Sequence, residues 1–310
     1  MDSNKFKLVK YALMLSWDKD TCHKSCLESY DESNKSSGQC AVTSLIINDY
    51  FSGIIQSGYI SELEIKHYWN VIDDKIYDLT KSQFEKEIKF TDVKEKTREK
   101  ILSNDNTKKR YELLKERVSS FIESINNINE QVSKCNKCEE LVEKFSGNSI
   151  YLGERTDILL IGEAPANNGW RKSGLLWRDI NEKFVPSAKV LQKLLDPLEI
   201  NILDISFVEA ITCFPVNRKN LKTTGANCRE ILNNCIQLLN PQIIIPLGEH
   251  PTRILLNTKD KFSEIVGVKR TITIGEDNYN VMPIYHPSPI SPKSYKDNVP
   301  IFEHIKRELK

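Results

Sequence analysis

The stretch "LLIGEAPANNGW", Leu159–Trp170, decides how the second half of the chain folds. Its first residues form a short apolar run, which is typical of a strand buried on both faces. The run ends at Gly162, and Glu163 and Pro165 follow, so a turn comes directly after the strand. A carboxylate at this place belongs either to an ordinary loop or to a ligand pocket, and the neighbouring segments have to distinguish the two.

Strand-like and helix-like segments alternate around this stretch. The strand-like segments are "DILLIG", "ISFVEAITCF", "QIIIPLG" and "VMPIYHP", and the helix-like segments are "SAKVLQKLLDPL" and "NCREILNNCIQLL". The alternation predicts a three-layer α/β/α domain with a central, mostly parallel sheet. Ligands of such folds bind beyond the carboxyl ends of the strands, where Glu163, Thr212–Asn217, Gly248 and His286 fall. We therefore expect four strand ends to meet at one crevice.

Length and composition limit the class of protein. The chain has 310 residues, enough for two domains, and its 44 Lys and Arg nearly balance its 43 Asp and Glu. Any contact with nucleic-acid phosphates must therefore be local. We expect no membrane segment and no secretory signal, and hence a cytoplasmic protein, while the oligomeric state stays open. The eight cysteines then favour reduced thiols, metal ligands or catalysis over disulfides.

The sequence of the first third predicts a smaller α+β domain. "QCAVTSLIINDYF", Gln39–Phe51, has a helical apolar face, and the strand-like "IKHYWNVI" and "KIYDLT" are separated by the turn-forming pair Asp73-Asp74. From Leu114 to Val132 the apolar positions are spaced alternately by four and three, which predicts one face of a long helix. We predict a first domain over residues 1–119, a connecting helix over 120–134 and the α/β domain over 135–310.

Four cysteines of the second half could bind one metal centre. "CNKC" supplies Cys135 and Cys138, Cys213 follows a strand, and Cys228 lies 15 residues later at a predicted helix start. Four thiolates can hold zinc or an iron–sulfur cluster. The alternative is two unrelated pairs of buried thiols. Cys235, on the same helix as Cys228, is interpreted as a core thiol.

The region from Cys135 to the "HPSP" segment resembles the iron–sulfur uracil-DNA glycosylases of bacteria and archaea. Eight motifs occur in the family's order: "CNKC", "GEAPA", "GLLW", "EAITC", "FPVNR", Cys228, "PQIIIPLG" and "HPSP". The resemblance implies a 4Fe-4S cluster bound by Cys135, Cys138, Cys213 and Cys228. It also implies a hydrolase that flips a base out of DNA and cleaves the N-glycosidic bond of uracil or a modified base.

The resemblance also assigns roles to single residues. Glu163 would orient the attacking water and pair with Asn217, and His286 would stabilise the negative charge on the departing base. Trp177 would stack on the base. The further residues implied in base binding are Ala164, Pro165 and Glu209, and those implied in DNA contact are Ser288, Ile290 and Lys293.

Two departures from the family pattern leave the choice of base open. Glu209 stands where the family has the asparagine that reads uracil, and an ionised glutamate can only accept hydrogen bonds. Gly169-Trp170 replaces the family's acidic pair, and Ala166 replaces a glycine. We therefore expect a glycosylase of altered base choice. The alternative is a module that binds nucleic acid or a modified base without cleaving it.

Residues 1–119 resemble the small YunG-type bacterial family, whose members have no assigned reaction. The matching stretches are "ALMLSWDKDT", "GQCAVTSLIINDYFSG", "HYWN", "DLTKSQF" and "LSNDNTKKRYELL".

A possible catalytic triad lies in this first domain. Cys40 at a helix start, then His67, then Asp78 is the chain order of papain-like thiol enzymes, with Gln39 as a possible oxyanion ligand. The alternative is a buried thiol with two polar residues at strand edges. A third interpretation of the whole chain is a thiol hydrolase with a nucleic-acid-sensing domain. Cys22 and Cys26 are interpreted as structural.

Overall fold

The structure is a computed structural model that describes residues 1–28, 30–84, 86–138, 142–144, 148–216 and 220–309. The chain divides into two compact units, Met1–Glu123 and Ser124–Lys310. Within the described ranges, no helix combines the length and the apolar character that crossing a membrane requires.

The first unit is an α+β fold built on an antiparallel sheet. Its strands are β1 (Ile54–Ile60), β2 (Ile65–Ile72), β3 (Lys75–Tyr77) and β4 (Thr91–Lys96), in the order β3-β2-β1-β4. Its helices are α1 (Ser3–Ser16), α2 (Cys40–Phe51), α3 (Arg98–Leu102) and the first part of α4 (Asp105–Lys134). The predicted smaller α+β domain is confirmed.

Helix α2 and the β2–β3 hairpin form the centre of this unit. α2 packs on β1 and β2, and its Val42, Leu45 and Ile46 are fully buried. The predicted turn at Asp73-Asp74 joins β2 to β3, and both residues have positive φ, 49° and 59°. That geometry matches the right-handed twist of a hairpin, and aspartate tolerates it. The hairpin sets the ends of β2 and β3 side by side.

Helix α4 follows the predicted apolar stripe but is longer than predicted. All six stripe positions are buried: Leu114, Val118, Phe121, Ile125, Ile128 and Val132. The helix begins at Asp105, because Asn104 caps it by accepting a hydrogen bond from the Thr107 N–H at 2.9 Å. The predicted connecting helix over 120–134 is therefore the last part of one continuous element.

The second unit has a six-stranded sheet in the order β11-β12-β10-β7-β8-β6. Its strands are β5 (Val142–Glu143), β6 (Ile150–Tyr151), β7 (Arg155–Gly162), β8 (Ile205–Glu209), β9 (Phe214–Pro215), β10 (Ile243–Pro246), β11 (Arg270–Ile274) and β12 (Asp277–Val281). Its further helices are α5 (Trp170–Ser173), α6 (Pro186–Leu195), α7 (Leu221–Leu239), α8 (Glu249–Leu256), α9 (Phe262–Ile265) and α10 (Val299–Glu308). β12, β10, β7 and β8 are parallel neighbours, the two edge strands are antiparallel, and β5 pairs separately with β9.

Helices cover both faces of this sheet. α6 and α10 share one apolar cluster with Ile158 and Leu160 of β7, and α7 contacts β7 and β8. Successive side chains of a strand point to opposite faces. Because Leu159 and Ile161 are fully buried as well, the second face is also covered. The predicted three-layer α/β/α architecture with a mostly parallel sheet is confirmed.

Two local predictions differ from the structure. Strand β12 ends at Val281, within the predicted "VMPIYHP" segment, but the Met282 and Ile284 N–H groups still donate to the Ile244 and Pro246 carbonyls of β10 at 2.8 Å and 3.2 Å. Cys228 does not start a helix, since α7 begins seven residues earlier at Leu221. There the buried Thr224 hydroxyl donates to the Asn220 carbonyl at 2.9 Å, so its hydrogen-bonding group is satisfied inside the helix.

Candidate active site

The carboxyl ends of the parallel strands surround a cleft of about 810 Å³. Glu163 follows β7, Glu209 ends β8, Gly248 follows β10, and His286 comes shortly after β12; all four line the cleft. A cleft of this volume is in the range of small-molecule and base-sized ligands. The structure therefore brings the four strand ends to one place, as their position in a parallel sheet requires.

A glycine makes the approach of His286 possible. Gly248 has φ +100°, and a Cβ placed there would lie 2.9 Å from the Cβ of His286. Only glycine accepts both the backbone angle and the close contact. The segment that carries His286 thus reaches the end of β10.

Glu163 and His286 are the polar groups expected to do chemistry. The Glu163 side chain is 17% exposed, and its Oε2 lies 3.9 Å from Nε2 of His250. His286 is exposed where it borders the cleft, and its carbonyl accepts a hydrogen bond from the Ser288 N–H at 2.8 Å. His250, which the sequence did not single out, adds a titratable group beside Glu163.

Aromatic side chains form part of the cleft wall. Trp177 meets the ring of Phe207 edge to face, with centroids 4.8 Å apart, and Trp170 approaches the same ring at 6.1 Å. Trp177 has φ +62°, an uncommon and costly conformation for a bulky residue that is characteristic of functional sites. Ala164 and Pro165 line the same cleft.

Glu209 is buried in the cleft beside two partners. Its carboxylate accepts a hydrogen bond from Nε1 of Trp170 at 3.1 Å, and Nη1 of Arg171 lies 3.6 Å away. Burial raises the pKa of Glu209 to about 8, against the opposing effects of the Arg171 charge and the Trp170 hydrogen bond. Burial likewise lowers the pKa of Arg171, whose side chain is 1% exposed. Sequence reasoning missed Arg171, because a four-residue helix carries no readable periodicity.

The remaining predicted contact residues differ in exposure. Ser288 lines the cleft, Ile290 is 92% exposed, and Lys293 is exposed with its ammonium 5.1 Å from the ring centroid of Tyr285. Asn217 lies outside the described residues.

Four cysteines line a second, smaller cavity: Cys135, Cys138, Cys213 and Cys228. Nδ2 of Asn227 donates to Sγ of Cys138 at 3.0 Å, and the Thr212 hydroxyl lies 3.9 Å and 3.8 Å from the sulfurs of Cys213 and Cys228. In the part of the chain that the structure describes, no three His, Cys, Asp or Glu side chains are close enough to hold a single metal ion.

Cys235 takes no part in this cavity. It is 3% exposed, and burial raises the pKa of its thiol to about 12. These properties agree with a core thiol.

A separate cluster lies in the first unit. Cys40 is the first residue of α2, His67 lies on β2, and Asp78 directly follows β3. Nε2 of His67 lies 2.7 Å from Oδ2 of Asp78, and the Cys40 side chain interacts electrostatically with the same ring. The structure therefore brings the three residues together.

Comparisons with known proteins divide at the same place as the fold. Residues 150–310 match the family model described as the uracil DNA glycosylase superfamily, and residues 5–123 match the model of the YunG protein. The chain is similar to the type-4 uracil-DNA glycosylase of Saccharolobus solfataricus, with 31% identity over 180 residues, 54% of this chain and 77% of the relative. It is also similar to the type-4 uracil-DNA glycosylase of Archaeoglobus fulgidus, with 25% identity over 175 residues, 54% of this chain and 84% of the relative. The first unit is similar to the "Uncharacterized protein YunG" of Bacillus subtilis, with 33% identity over 117 residues, 38% of this chain and 94% of the relative.

Proposed function

The chain belongs to the uracil DNA glycosylase superfamily through residues 150–310, and on that premise we propose that it is a DNA glycosylase that hydrolyses the N-glycosidic bond of uracil or a modified base. The observation that carries the proposal is the shared cleft of Glu163 and His286 at the carboxyl ends of the parallel strands. We place the activity in the cytoplasm, with DNA as the partner.

The residue chemistry supports this reaction. When the bond between sugar and base breaks, positive charge builds on the sugar and negative charge on the base. A donor already aimed at a base oxygen lowers that barrier, and His286 has the chemistry for it. Glu163 can orient a water towards the sugar and offset its positive charge. Trp177 supplies an aromatic face for a base taken out of the stack.

Glu209 bears on the choice of base through its protonation. With its pKa raised to about 8, the carboxyl is largely protonated near neutral pH and can both donate and accept a hydrogen bond. In that state it resembles an asparagine amide and suits the O4 and N3–H edge of uracil. The ionised carboxylate suits an edge with two donors. We propose that the protonated form is the one that reads the base.

We propose that the second cavity holds a 4Fe-4S cluster bound by Cys135, Cys138, Cys213 and Cys228, because all four thiols line that cavity. The Asn227 amide and the Thr212 hydroxyl supply hydrogen bonds to sulfur of the kind that cluster sites use. Such a cluster would cross-link the segments that carry the four cysteines.

DNA contacts would be local. Ser288 borders the cleft, and the exposed Ile290 and Lys293 follow in the same loop. An apolar side chain can wedge between bases, and a lysine can meet a phosphate. A nearly balanced net charge of +1 is compatible with contacts limited to such a loop.

Base release from defined oligonucleotides tests the proposal. Single-stranded and duplex oligonucleotides with uracil, hypoxanthine or a modified cytosine are incubated with the full chain, and the free base is measured. His286→Ala should lower the rate about 100- to 1,000-fold, the loss seen when one charge-stabilising donor is removed. His304→Ala, at a partly exposed histidine of α10, is the matched control and should keep the rate. Equal rates for wild-type and His286→Ala protein would overturn the proposal.

A second candidate function is recognition of a base without cleavage. The buried Glu209–Arg171 pair favours it, because the family's uracil-reading asparagine is missing. This candidate expects tight binding of a modified oligonucleotide with no base released over many hours. Release of any base in a His286-dependent manner would exclude it.

A further inference from the structure

The first unit brings a thiol, an imidazole and a carboxylate together. Nε2 of His67 lies 2.7 Å from Oδ2 of Asp78, and the Cys40 side chain interacts electrostatically with the same ring. His67 is 1% exposed, whereas Asp78, at 12%, and Cys40 are both partly exposed. The three residues have the chemistry of a nucleophile, a base and an orienting acid.

Three aromatic side chains pack around the ring of His67 and hold its orientation. Phe90 stacks on it with 10° between the planes, Phe84 meets it edge on at 5.0 Å, and Trp69 lies at 6.1 Å. Burial by itself lowers the pKa of His67, but the interactions with Asp78 and Cys40 prevail and raise it to about 9. The surroundings therefore favour an imidazolium at residue 67.

The N-terminus of helix α2 and the guanidinium of Arg110 add positive charge near the Cys40 thiol. Cys40 opens a helix of 12 residues, so its N–H has no acceptor within the helix and the helix dipole favours a negative charge there. The buried Arg110 guanidinium interacts electrostatically with Cys40 and is held by the carbonyls of Thr21 and Gly38 at 3.1 Å and 3.2 Å. The helix N-terminus and the guanidinium thus both place positive charge near the Cys40 side chain.

Gln83, which the sequence did not single out, supplies an amide beside the pair. Its Nε2 lies 3.2 Å from Nδ1 of His67 and donates to the Thr80 carbonyl at 2.9 Å, and its Oε1 accepts from the Gly38 N–H at 3.4 Å. When Nδ1 of His67 carries a proton, it no longer accepts a hydrogen bond, so the Gln83 N–H that points to it can donate to another acceptor. Gln39, the sequence-based candidate for this role, already donates to the Asp18 carbonyl at 2.9 Å.

From this geometry we propose that Cys40, His67 and Asp78 are the catalytic triad of a second active site, a thiol hydrolase for acyl amides or esters, with the Cys40 N–H and Gln83 as oxyanion donors. This activity is distinct from the glycosylase and does not depend on it. The partly exposed Phe84 and Phe90 beside His67 provide an apolar wall for the acyl group. The substrate class is therefore an amide or ester with an apolar acyl group.

The reaction consumes one water and needs no other reagent. The Cys40 thiolate attacks the carbonyl carbon, and the imidazolium of His67 gives its proton to the leaving amine or alcohol as the C–N or C–O bond breaks. Water, deprotonated by His67, then attacks the Cys40 thioester, and the C–S bond breaks. The products are a carboxylic acid, the amine or alcohol, and the free thiol.

Acylation by p-nitrophenyl butyrate tests the proposal on the full chain. Wild-type protein should release a burst of about one p-nitrophenolate per chain and gain a butyryl group on Cys40, located by peptide mass spectrometry. Cys40→Ser should lose both, while Cys26→Ser, a second partly exposed cysteine of the same unit, should keep them. p-Nitrophenyl acetate should acylate more slowly, because it leaves the aromatic wall unfilled.

Two further variants separate catalysis from structure. His67→Asn should slow both acylation and alkylation of Cys40 by iodoacetamide at least ~100-fold, while the buried Cys22 stays unlabelled if the unit is folded. Gln83→Ala should slow acylation only, because alkylation forms no oxyanion. Equal alkylation of Cys40 in wild-type and folded His67→Asn protein, or acylation that does not depend on Cys40, would overturn the proposal.

Discussion

Glu209 shows how one substitution relative to a family pattern changes what a cleft can recognise. The residue is 6% exposed, and burial, more than its neighbours Arg171 and Trp170, sets its protonation. A carboxyl group that keeps its proton near neutral pH has the hydrogen-bonding capacity of an amide. The departure from asparagine therefore adds a dependence on pH and need not exclude uracil.

Uracil release should consequently fall as the pH rises through about 8. The folded-state pKa of Glu209 is raised above its ordinary 4.5, so the donor proton is present below about 8 and lost above it. Beyond that point a single required proton lowers the rate ~10-fold per pH unit. Glu209→Gln and Glu209→Asn keep a donor at every pH and should release uracil faster than wild type in alkaline solution.

Single-turnover rates between pH 6 and 10 measure this difference. Glu163, His286 and His250 also border the cleft, and Arg171 lies beside Glu209. These groups are common to all three proteins, so their effects cancel in the ratio of the variant rate to the wild-type rate. A ratio that does not change with pH would contradict the role given to Glu209.

Single residues were predictable only where a motif marked them. Glu163 and His286 follow apolar strands, so their meeting at one edge of a parallel sheet could be expected from the sequence. Arg171 and Gln83 lie in a very short helix and a 3-10 turn, and their partners are distant in the sequence. No periodicity marks such residues, and only the fold shows what they contact.

At the scale of elements, the apolar pattern of the sequence predicted those helices and strands whose packing it determines. Helix α4 and strands β7 and β10 follow their apolar patterns, because packing decides them. The start of α7 and the β11–β12 hairpin were missed. In α7 a buried threonine and Gly225, whose absent Cβ would lie 2.5 Å from Cδ1 of Ile254, fit into helix packing that the sequence alone does not reveal.

The four cysteines lie in three separate segments of the chain, so a cluster bound by all of them would cross-link these segments. Cys135 and Cys138 follow α4, Cys213 lies between β8 and β9, and Cys228 is inside α7. Protein purified without oxygen should be brown, with a broad visible absorbance. Cys228→Ala should lose this absorbance and unfold at a lower temperature, because metal bound by the native state alone contributes to its stability.

Cys235→Ala is the control for this experiment, since Cys235 is seven residues along the same helix and buried outside the cavity. It should keep the full visible band. A colourless wild-type protein that contains zinc would refute the cluster.

At the scale of the whole molecule, each unit carries its own core and its own candidate site. Helix α2 and the antiparallel sheet hold Cys40, His67 and Asp78, whereas the parallel sheet holds Glu163, Glu209 and His286. Each site is built from side chains of its own unit. Effects of substitutions that share no partners usually add within about 0.5 kcal/mol, or roughly twofold in rate.

The two activities should therefore respond separately. Cys40→Ser should leave base release within about twofold of wild type, and Glu163→Gln should leave the acylation of Cys40 equally unchanged. Both assays are run on the same preparations of the full chain. A loss of tenfold or more in the unsubstituted site would instead show that the two reactions are coupled.

The buried Cys235 thiol of helix α7 can be used to measure how often this helix separates from its neighbours. Cys235 is 3% exposed, with a pKa near 12, so a thiol reagent can reach it only while α7 has lifted from its neighbours. Its labelling rate then measures the free energy of that fluctuation in the unmodified chain, without an added dye or isotope. Labelling of Cys40 can be measured in the same mass spectrum. One time course therefore gives both the local opening of the second unit at Cys235 and the reactivity of the Cys40 thiol in the first unit.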